Sequence, residues 1–214
     1  MRLLIATTNR HKVAEITRIL EGMPIQLATL EEWPAVAAPD ETGRSFEENA
    51  RQKAGYYARI AGELTVAEDS GLEIDALHGA PGVESARYGG VDASYSEKFK
   101  LIYDALRAGG EVGSPARFVC ALTLATPDQP SLVDIEPSSG LAGRILFETR
   151  GIIEGRIAPE PRGTGGFGYD PIFFYPPYGC TLAEMTADRK AAVSHRGHAF
   201  RSLRQFLAVH NYTV

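Results

Sequence analysis

Cysteine is scarce: the 214-residue chain holds two, Cys120 inside the apolar run FVCALTLA and Cys180 in a Pro/Gly-rich stretch. Placed singly, they build neither a disulfide framework nor a zinc site, and read as a core thiol and a loop thiol. No apolar stretch approaches the roughly 20 residues that cross a bilayer. The opening MRLLIATTNRHK has too short an apolar run for a signal peptide and passes straight into polar residues. Positive charge is not in excess either. A formal net charge of -5, with Lys and Arg dispersed, repels a polyanion and makes a nucleic-acid-binding module the least favoured class. Catalytic signatures are missing too: no G-x-x-x-x-G-K-[ST] phosphate loop and no G-x-S-x-G nucleophile elbow. No internal repeat or linker-like change of composition interrupts the chain. These absences lead to the expectation of a soluble, cytoplasmic protein without membrane or nucleic-acid partners, which handles anions only at particular sites.

What is present suits a globular enzyme. With 44% hydrophobic and 23% charged residues, the chain can build a sizeable core, and one domain over residues 1–214 is the default. Leu3 to Ala6 reads as a strand, the polar TTN as a loop, and HKVAEITRIL as a helix, with Val13, Ile16 and Leu20 at helical spacing. Ile25 to Leu30 is a second strand, and Glu31 to Gly43, with Trp33 and two prolines, a loop. Ser45 and Glu48 fit a capping box opening a helix to about Ala61. Thr65 to Glu68 reads as a buried strand whose end carries Asp69, Ser70 and Gly71, before an alternating LEIDAL segment. APGVESARYGG is loop chemistry, SEKFKLIYDALRAGG a helix with a glycine stop, and ARFVCALTLAT a core strand. Further strands are expected within 144–157, and a loop or irregular insertion over 128–143. Helical sequence around a polar interruption, SHRGH, closes the chain, with Phe200, Leu203 and Leu207 in step. Alternating strands and helices predict an α/β protein.

Several constellations could carry chemistry. TTNRHK, residues 7 to 12, combines hydroxyls, an amide, a helix N-terminus and Lys12, which suits a phosphate chain; an ordinary capped helix is the competing reading. Lys53 lies one helical turn from Asn49 on the same face, although a surface lysine is the commoner outcome. The acidic groups Asp40 with Glu41, Glu68 with Asp69, and Asp75 invite a magnesium hypothesis, because magnesium takes a few carboxylate oxygens plus waters and phosphates. Asp75 fits a solvated or structural role better, and solvated carboxylates are the alternative for the rest. GTGGFG, residues 163 to 168, satisfies G-x-G-x-x-G but lacks the helix that a dinucleotide fingerprint needs, since Tyr169, Asp170 and Pro171 follow. A glycine loop presenting Phe167 and Tyr169 to an aromatic base remains, beside the reading of both as core aromatics. KAAVSHRGH gathers Lys190, Ser194, His195 and Arg196, donors suited to phosphate oxygens or a base carbonyl.

In order along the chain, TTNRHK, ETGRSFEENARQKA, AEDSGLEIDALHGAPGVESARYGG, GTGGFGYDPIF and KAAVSHRGHA resemble the inosine triphosphate pyrophosphatase family, also called XTP/dITP diphosphatases. The resemblance implies a single two-lobed α/β domain with a long mixed β-sheet flanked by helices, a substrate cleft between the lobes, a homodimer, and Mg2+ as cofactor. It also implies residue roles: Thr7, Thr8, Asn9, Arg10, His11, Lys12 and Lys53 for the triphosphate; Asp69 for metal and proton acceptance; Ser70 on the substrate; Phe167, Gly168, Tyr169 and Asp170 around the base; and Lys190, His195 and Arg196 completing the nucleotide site. Asp40 stands where the family often has a metal-binding glutamate, and Glu41 beside it could compensate.

The expected activity is hydrolysis of non-standard purine nucleoside triphosphates (ITP, dITP, XTP) to the monophosphate and pyrophosphate, with Asp69 deprotonating a water that attacks the α-phosphorus. A pyrophosphatase for other modified nucleotides and a nucleotide-binding sensor without turnover are the alternatives.

Overall fold

The computed structural model describes residues 1–127 and 144–210; the insertion expected over 128–143 lies outside the described residues. The chain is α/β. Its principal elements are β1 (Arg2–Ile5), α1 (Arg10–Leu20), β2 (Gln26–Thr29), α2 (Phe46–Ala61), β3 (Leu64–Ile74), α3 (Tyr95–Gly109), β4 (Pro115–Thr126), β5 (Arg144–Ile157), β6 (Phe173–Tyr175), β7 (Cys180–Thr181), α4 (Ala187–Val193) and α5 (His195–Val209). One mixed seven-stranded sheet runs in the order β2-β1-β3-β4-β5-β6-β7. The β2, β1 and β3 strands pair in parallel, and β5, β6 and β7 pair antiparallel.

Local chemistry explains the helix starts. The Asn9 side chain accepts from the backbone N–H groups of His11 and Lys12 and opens α1. Ser45 opens α2 by accepting from Glu48 N at 3.2 Å, but the Glu48 carboxylate accepts from Arg44 N at 2.6 Å rather than from Ser45 itself. The expected capping box is therefore shifted by one residue, and it anchors the end of the preceding loop. At α3 both bonds of the Ser94–Glu97 box are present.

Three strand expectations change. Asp69, Ser70 and Gly71 do not follow a strand end: β3 runs unbroken through them. The end that matters belongs to β1, which pairs with β3 only as far as Ile5 opposite Val66. Glu68 and Asp69 therefore lie just past the point where β1 becomes the TTN loop, and poor strand formers are tolerated there because β4 continues the sheet on the other side. The stretch 144–157 is one long strand, and Cys180 opens β7 instead of sitting in a loop. SHRGH is a helix junction: Ser194 ends α4, its hydroxyl accepts from Gly197 N at 3.0 Å, and α5 starts at His195.

The chain divides into two compact units. The first collects Met1–Asp69, Ala121–Arg150 and Ala199–Val214 as far as these are described; the second collects Ser70–Cys120 and Gly151–His198. Each has its own core. In the first, Leu4, Ala6, Ala28, Ala54, Tyr57, Ala58, Ala67 and Ala125 pack together, small residues that let α2 approach the strands closely. In the second, Leu72, Ile74, Ile102, Leu106, Phe118, Ile157, Ile172 and Phe173 form the centre of a larger cluster. Leu106 of α3 is fully buried within it. Leu106→Ala is expected to lower the unfolding free energy by about 2–5 kcal/mol, read from equilibrium urea denaturation.

Candidate active site

In the first unit, buried charges gather where α2 faces the acidic segment of β3. Lys53, on the inner face of α2, is 9% exposed, and its Nζ lies 3.0 Å from Glu41 Oε1 and 3.1 Å from Asp69 Oδ1. Asn49, one turn earlier and fully buried, donates from Nδ2 to Asp69 Oδ2 at 3.0 Å. Its Oδ1 accepts from Gly43 N at 2.8 Å, so a single amide both orients the Asp69 carboxylate and ties down the loop that delivers Glu41. Gly43 has to be glycine for this: a Cβ there would lie 2.5 Å from Asn49 Oδ1 and 2.8 Å from Glu48 Cβ. Lys12, in the first turn of α1, pairs with the buried Glu68 at 3.1 Å.

Glu41, Glu68 and Asp69 thus face Lys12 and Lys53. Burial raises the Asp69 carboxyl above the ordinary carboxylate value, against the pull of Lys53 and the Asn49 hydrogen bond. For Lys53, burial works to lower the pKa, but the carboxylates of Asp69, Glu41 and Glu68 outweigh it and hold the ammonium above the ordinary lysine value.

In the second unit, the loop after β5 closes around Asp170. This buried carboxylate accepts from Phe167 N at 2.7 Å and from Lys190 Nζ of α4. Gly163 and Gly165 fit because a Cβ at either would come within 3 Å of the Ala183 backbone, and a Cβ at Gly166 would overlap the Asp170 carboxylate. The half-buried Phe167 ring has Lys190 Nζ 4.8 Å and Arg196 Cζ 5.6 Å from its centroid. Arg196, 1% exposed, donates to Ser70 Oγ at 2.9 Å. His195 is buried, with its ring stacked on Phe118 at 4.8 Å.

The sequence profile of the Ham1 family matches residues 3–206. The chain belongs to the Ham1 family. It is 44% identical over 203 residues to a dITP/XTP pyrophosphatase of an Exiguobacterium species, with 95% of each chain covered. To the dITP/XTP pyrophosphatase of Geobacter sulfurreducens it is 41% identical over 206 residues, with 96% of each covered. Among solved structures, it is similar to a HAM1 protein from Coxiella burnetii with TM-score 0.81 at 37% identity, over 97% of this chain and 98% of that one.

In this Ham1 family chain the residues singled out from sequence fall into the two groups described, with instructive exceptions. Thr7 and Asn9 use side-chain oxygens on the turn into α1, while Thr8, Arg10 and His11 are exposed around the same helix N-terminus. Lys53, whose commoner fate is the surface, is buried. Asp40 is exposed, and it is Glu41 that reaches Lys53: alternation along the extended loop turns neighbouring side chains apart. Tyr169 does not present its ring from the glycine loop. It is 3% exposed, packs in the core, and its hydroxyl donates to Ser85 O at 2.8 Å, so the core reading holds for this residue. Asp75 accepts from Arg117 at 3.1 Å in a 3₁₀ turn, a structural ion pair. Absent a Rossmann helix, GTGGFGY leads into the three-residue 3₁₀ turn Asp170–Ile172. The residue underrated from sequence is Asn49. Its spacing from Lys53 was the available signal; the Gly43 and Asp69 partners, distant in sequence, were not visible.

Among the described residues no group of three or more His, Cys, Asp or Glu forms an all-protein metal cage. Magnesium needs less, one or two carboxylates with waters and phosphates. Glu41 and Asp69 already share one cation, the Lys53 ammonium, and their hard oxygen donors fit that ion.

Two measurements test this electrostatic description. Because the native pKa of Asp69 is raised, its ionised form is penalised relative to the unfolded chain at pH above that value, and the penalty vanishes below the unfolded pKa. In EDTA, Asp69→Asn is expected to lose stability through its unpaired Lys53 at pH 8, and the pH dependence from the Asp69 carboxyl itself, a wild-type penalty that fades as pH falls, is expected to be absent from its melting curves. Gly43→Ala is expected to lose about 1–3 kcal/mol of stability in urea titrations through overpacking.

Proposed function

We propose that this chain hydrolyses non-standard purine nucleoside triphosphates, dITP, XTP and ITP, to the monophosphate and pyrophosphate in a magnesium-dependent reaction. The observation that carries the reading is the buried Glu41–Lys53–Asp69–Asn49 cluster next to the N-terminus of α1. Family membership and relatives named dITP/XTP pyrophosphatases support the reaction class.

Thr7 to Lys12 offer hydroxyls and cations to the phosphate chain at the positive end of the α1 dipole, and no acidic residue in the first turn of α1 opposes an anion there. Lys53 adds a cation beside the reacting group. Asp69 accepts the proton of the attacking water, and its raised pKa makes it a better base than an exposed aspartate. Asn49 holds the second Asp69 oxygen and so fixes the direction of the first. Glu41 and Asp69 would hold magnesium, with Asp40 too exposed to be the main ligand; the ion would neutralise phosphate charge in the transition state.

Base recognition is assigned to the second unit. Phe167 offers a ring for stacking, Gly168 and Asp170 shape its loop, and Tyr169 anchors that loop from the core. Lys190 and Arg196 are donors only, with no acceptor to offer. A 6-oxo purine presents an acceptor and adenine a donor at the same position, so these two donors favour inosine and xanthosine over adenosine. Ser70 and His195 complete the polar lining. The family resemblance carries two further expectations into the proposal, a cytoplasmic location and a homodimer.

A panel of dITP, XTP, ITP, dATP and dGTP, assayed with magnesium and with EDTA, is expected to show pyrophosphate release from the first three with magnesium only. Orthophosphate release would put the broken bond elsewhere and refute the reading. Asp69→Asn is expected to lower kcat by about 10²–10⁴-fold while remaining folded by circular dichroism.

A further inference from the structure

Tyr95 lies outside every motif that marks the site. It opens α3 directly after the capping residue Ser94 and is 41% exposed. Its ring stands edge-on to Tyr169, centroids 5.4 Å apart at 89°, and Phe99 packs against both, 6.2 Å from Tyr95 and 6.1 Å from Tyr169. It also lies against Gly168: a Cβ on that glycine would sit 3.5 Å from Tyr95 Oη and 3.7 Å from Tyr95 Cε1, ordinary van der Waals spacing. Gly168 has φ +67°, a left-handed conformation that glycine adopts freely, and it carries no side chain with which to fix the loop itself.

The same turn of α3 holds the wall behind Tyr169. Two consecutive carbonyls are taken by donors on either side of Tyr95: Ser85 O by the Tyr169 hydroxyl at 2.8 Å, and Ala86 O by the buried Lys98 Nζ at 2.5 Å. Lys98 Nζ also lies 4.9 Å from the centroid of the Tyr95 ring. Tyr95 thus meets both the Lys98 anchor and the Tyr169 ring, and lies beside Gly168, immediately after Phe167.

We infer that Tyr95 is a positioning residue for base recognition: its ring holds Gly168 and Tyr169, and through them the Phe167 ring, in the conformation that receives a purine. The inference rests on the assignment of the Phe167 loop to the base. It separates base binding from phosphate chemistry, because the Tyr95 cluster belongs to the second unit and Asp69, Lys53 and Lys12 to the first.

The test compares Tyr95→Phe, which keeps the ring, with Tyr95→Ala, which removes it. Steady-state kinetics with dITP and XTP, inhibition by tripolyphosphate as a base-free probe, and hydrogen–deuterium exchange of the 163–172 segment are measured on each. Tyr95→Ala is expected to raise KM by about 3- to 10-fold, the factor one aromatic edge contact supplies, and to speed exchange of the segment by a similar factor. Its kcat stays within about 2-fold, the tripolyphosphate Ki does not change, and Tyr95→Phe behaves as wild type. Unchanged KM and exchange in Tyr95→Ala would overturn the inference. So would a parallel rise in tripolyphosphate Ki, which would move the effect to the phosphate residues, or a Tyr95→Phe defect as large as that of Tyr95→Ala. A wild-type protein that releases no pyrophosphate from dITP or XTP would overturn the functional reading itself, and this inference with it.

Discussion

The Lys53 ammonium, buried between Glu41 and Asp69, is the interaction on which the first unit is organised. A buried carboxylate is tolerable only when paired and hydrogen-bonded, and the paired geometry is demanding. Each neighbour serves that demand. The alanine-lined contact of α2 brings its inner face close to the strands, Asn49 takes the second Asp69 oxygen, and the loop before α2 swings Glu41 onto the lysine. Burial gives Asp69 a proton affinity above that of an ordinary aspartate, against the pull of Lys53 and Asn49.

The second unit solves a different problem, holding an aromatic ring half exposed at the end of a glycine-rich loop. Asp170 does this from beneath by accepting from the Phe167 backbone and from Lys190, and the glycines earn their places by close approach to Ala183 and Asp170. Two cations, Lys190 and Arg196, lie against the Phe167 ring. Ser70, next in sequence to Asp69, accepts a hydrogen bond from Arg196.

Most elements were legible in the sequence because their signals are local: the Asn9, Ser45 and Ser94 caps, the 3.6-residue period of α1 and α5, and the apolar run of β4. The misreadings share a cause. Asp69-Ser70-Gly71 looks like a break because its residues are poor strand formers, yet neighbouring strands supply what propensity lacks. Tyr169 looks like a surface aromatic because glycines precede it, yet the chain turns it inward onto Ser85. Asp40 and Glu41 look equivalent until an extended backbone points them in different directions. Motif order conveyed the family, but the distinction between a residue that touches substrate and one that supports it depends on contacts between distant segments, and Asn49 and Tyr95 carry no mark of those.

Gly43 shows how much of such a site can reside in a missing atom. It offers no functional group, yet it sits in the loop that seats Trp33 and Val36 against the core and carries Glu41 to Lys53. What the loop must deliver is a backbone N–H within reach of one amide oxygen, with nothing projecting in between. The end of the loop is therefore held by its main chain at Gly43 as well as by the Glu41 side chain. Its least replaceable position is the one with the least chemistry, and a scan for reactive residues would pass over the hinge pin that brings Glu41 to its lysine.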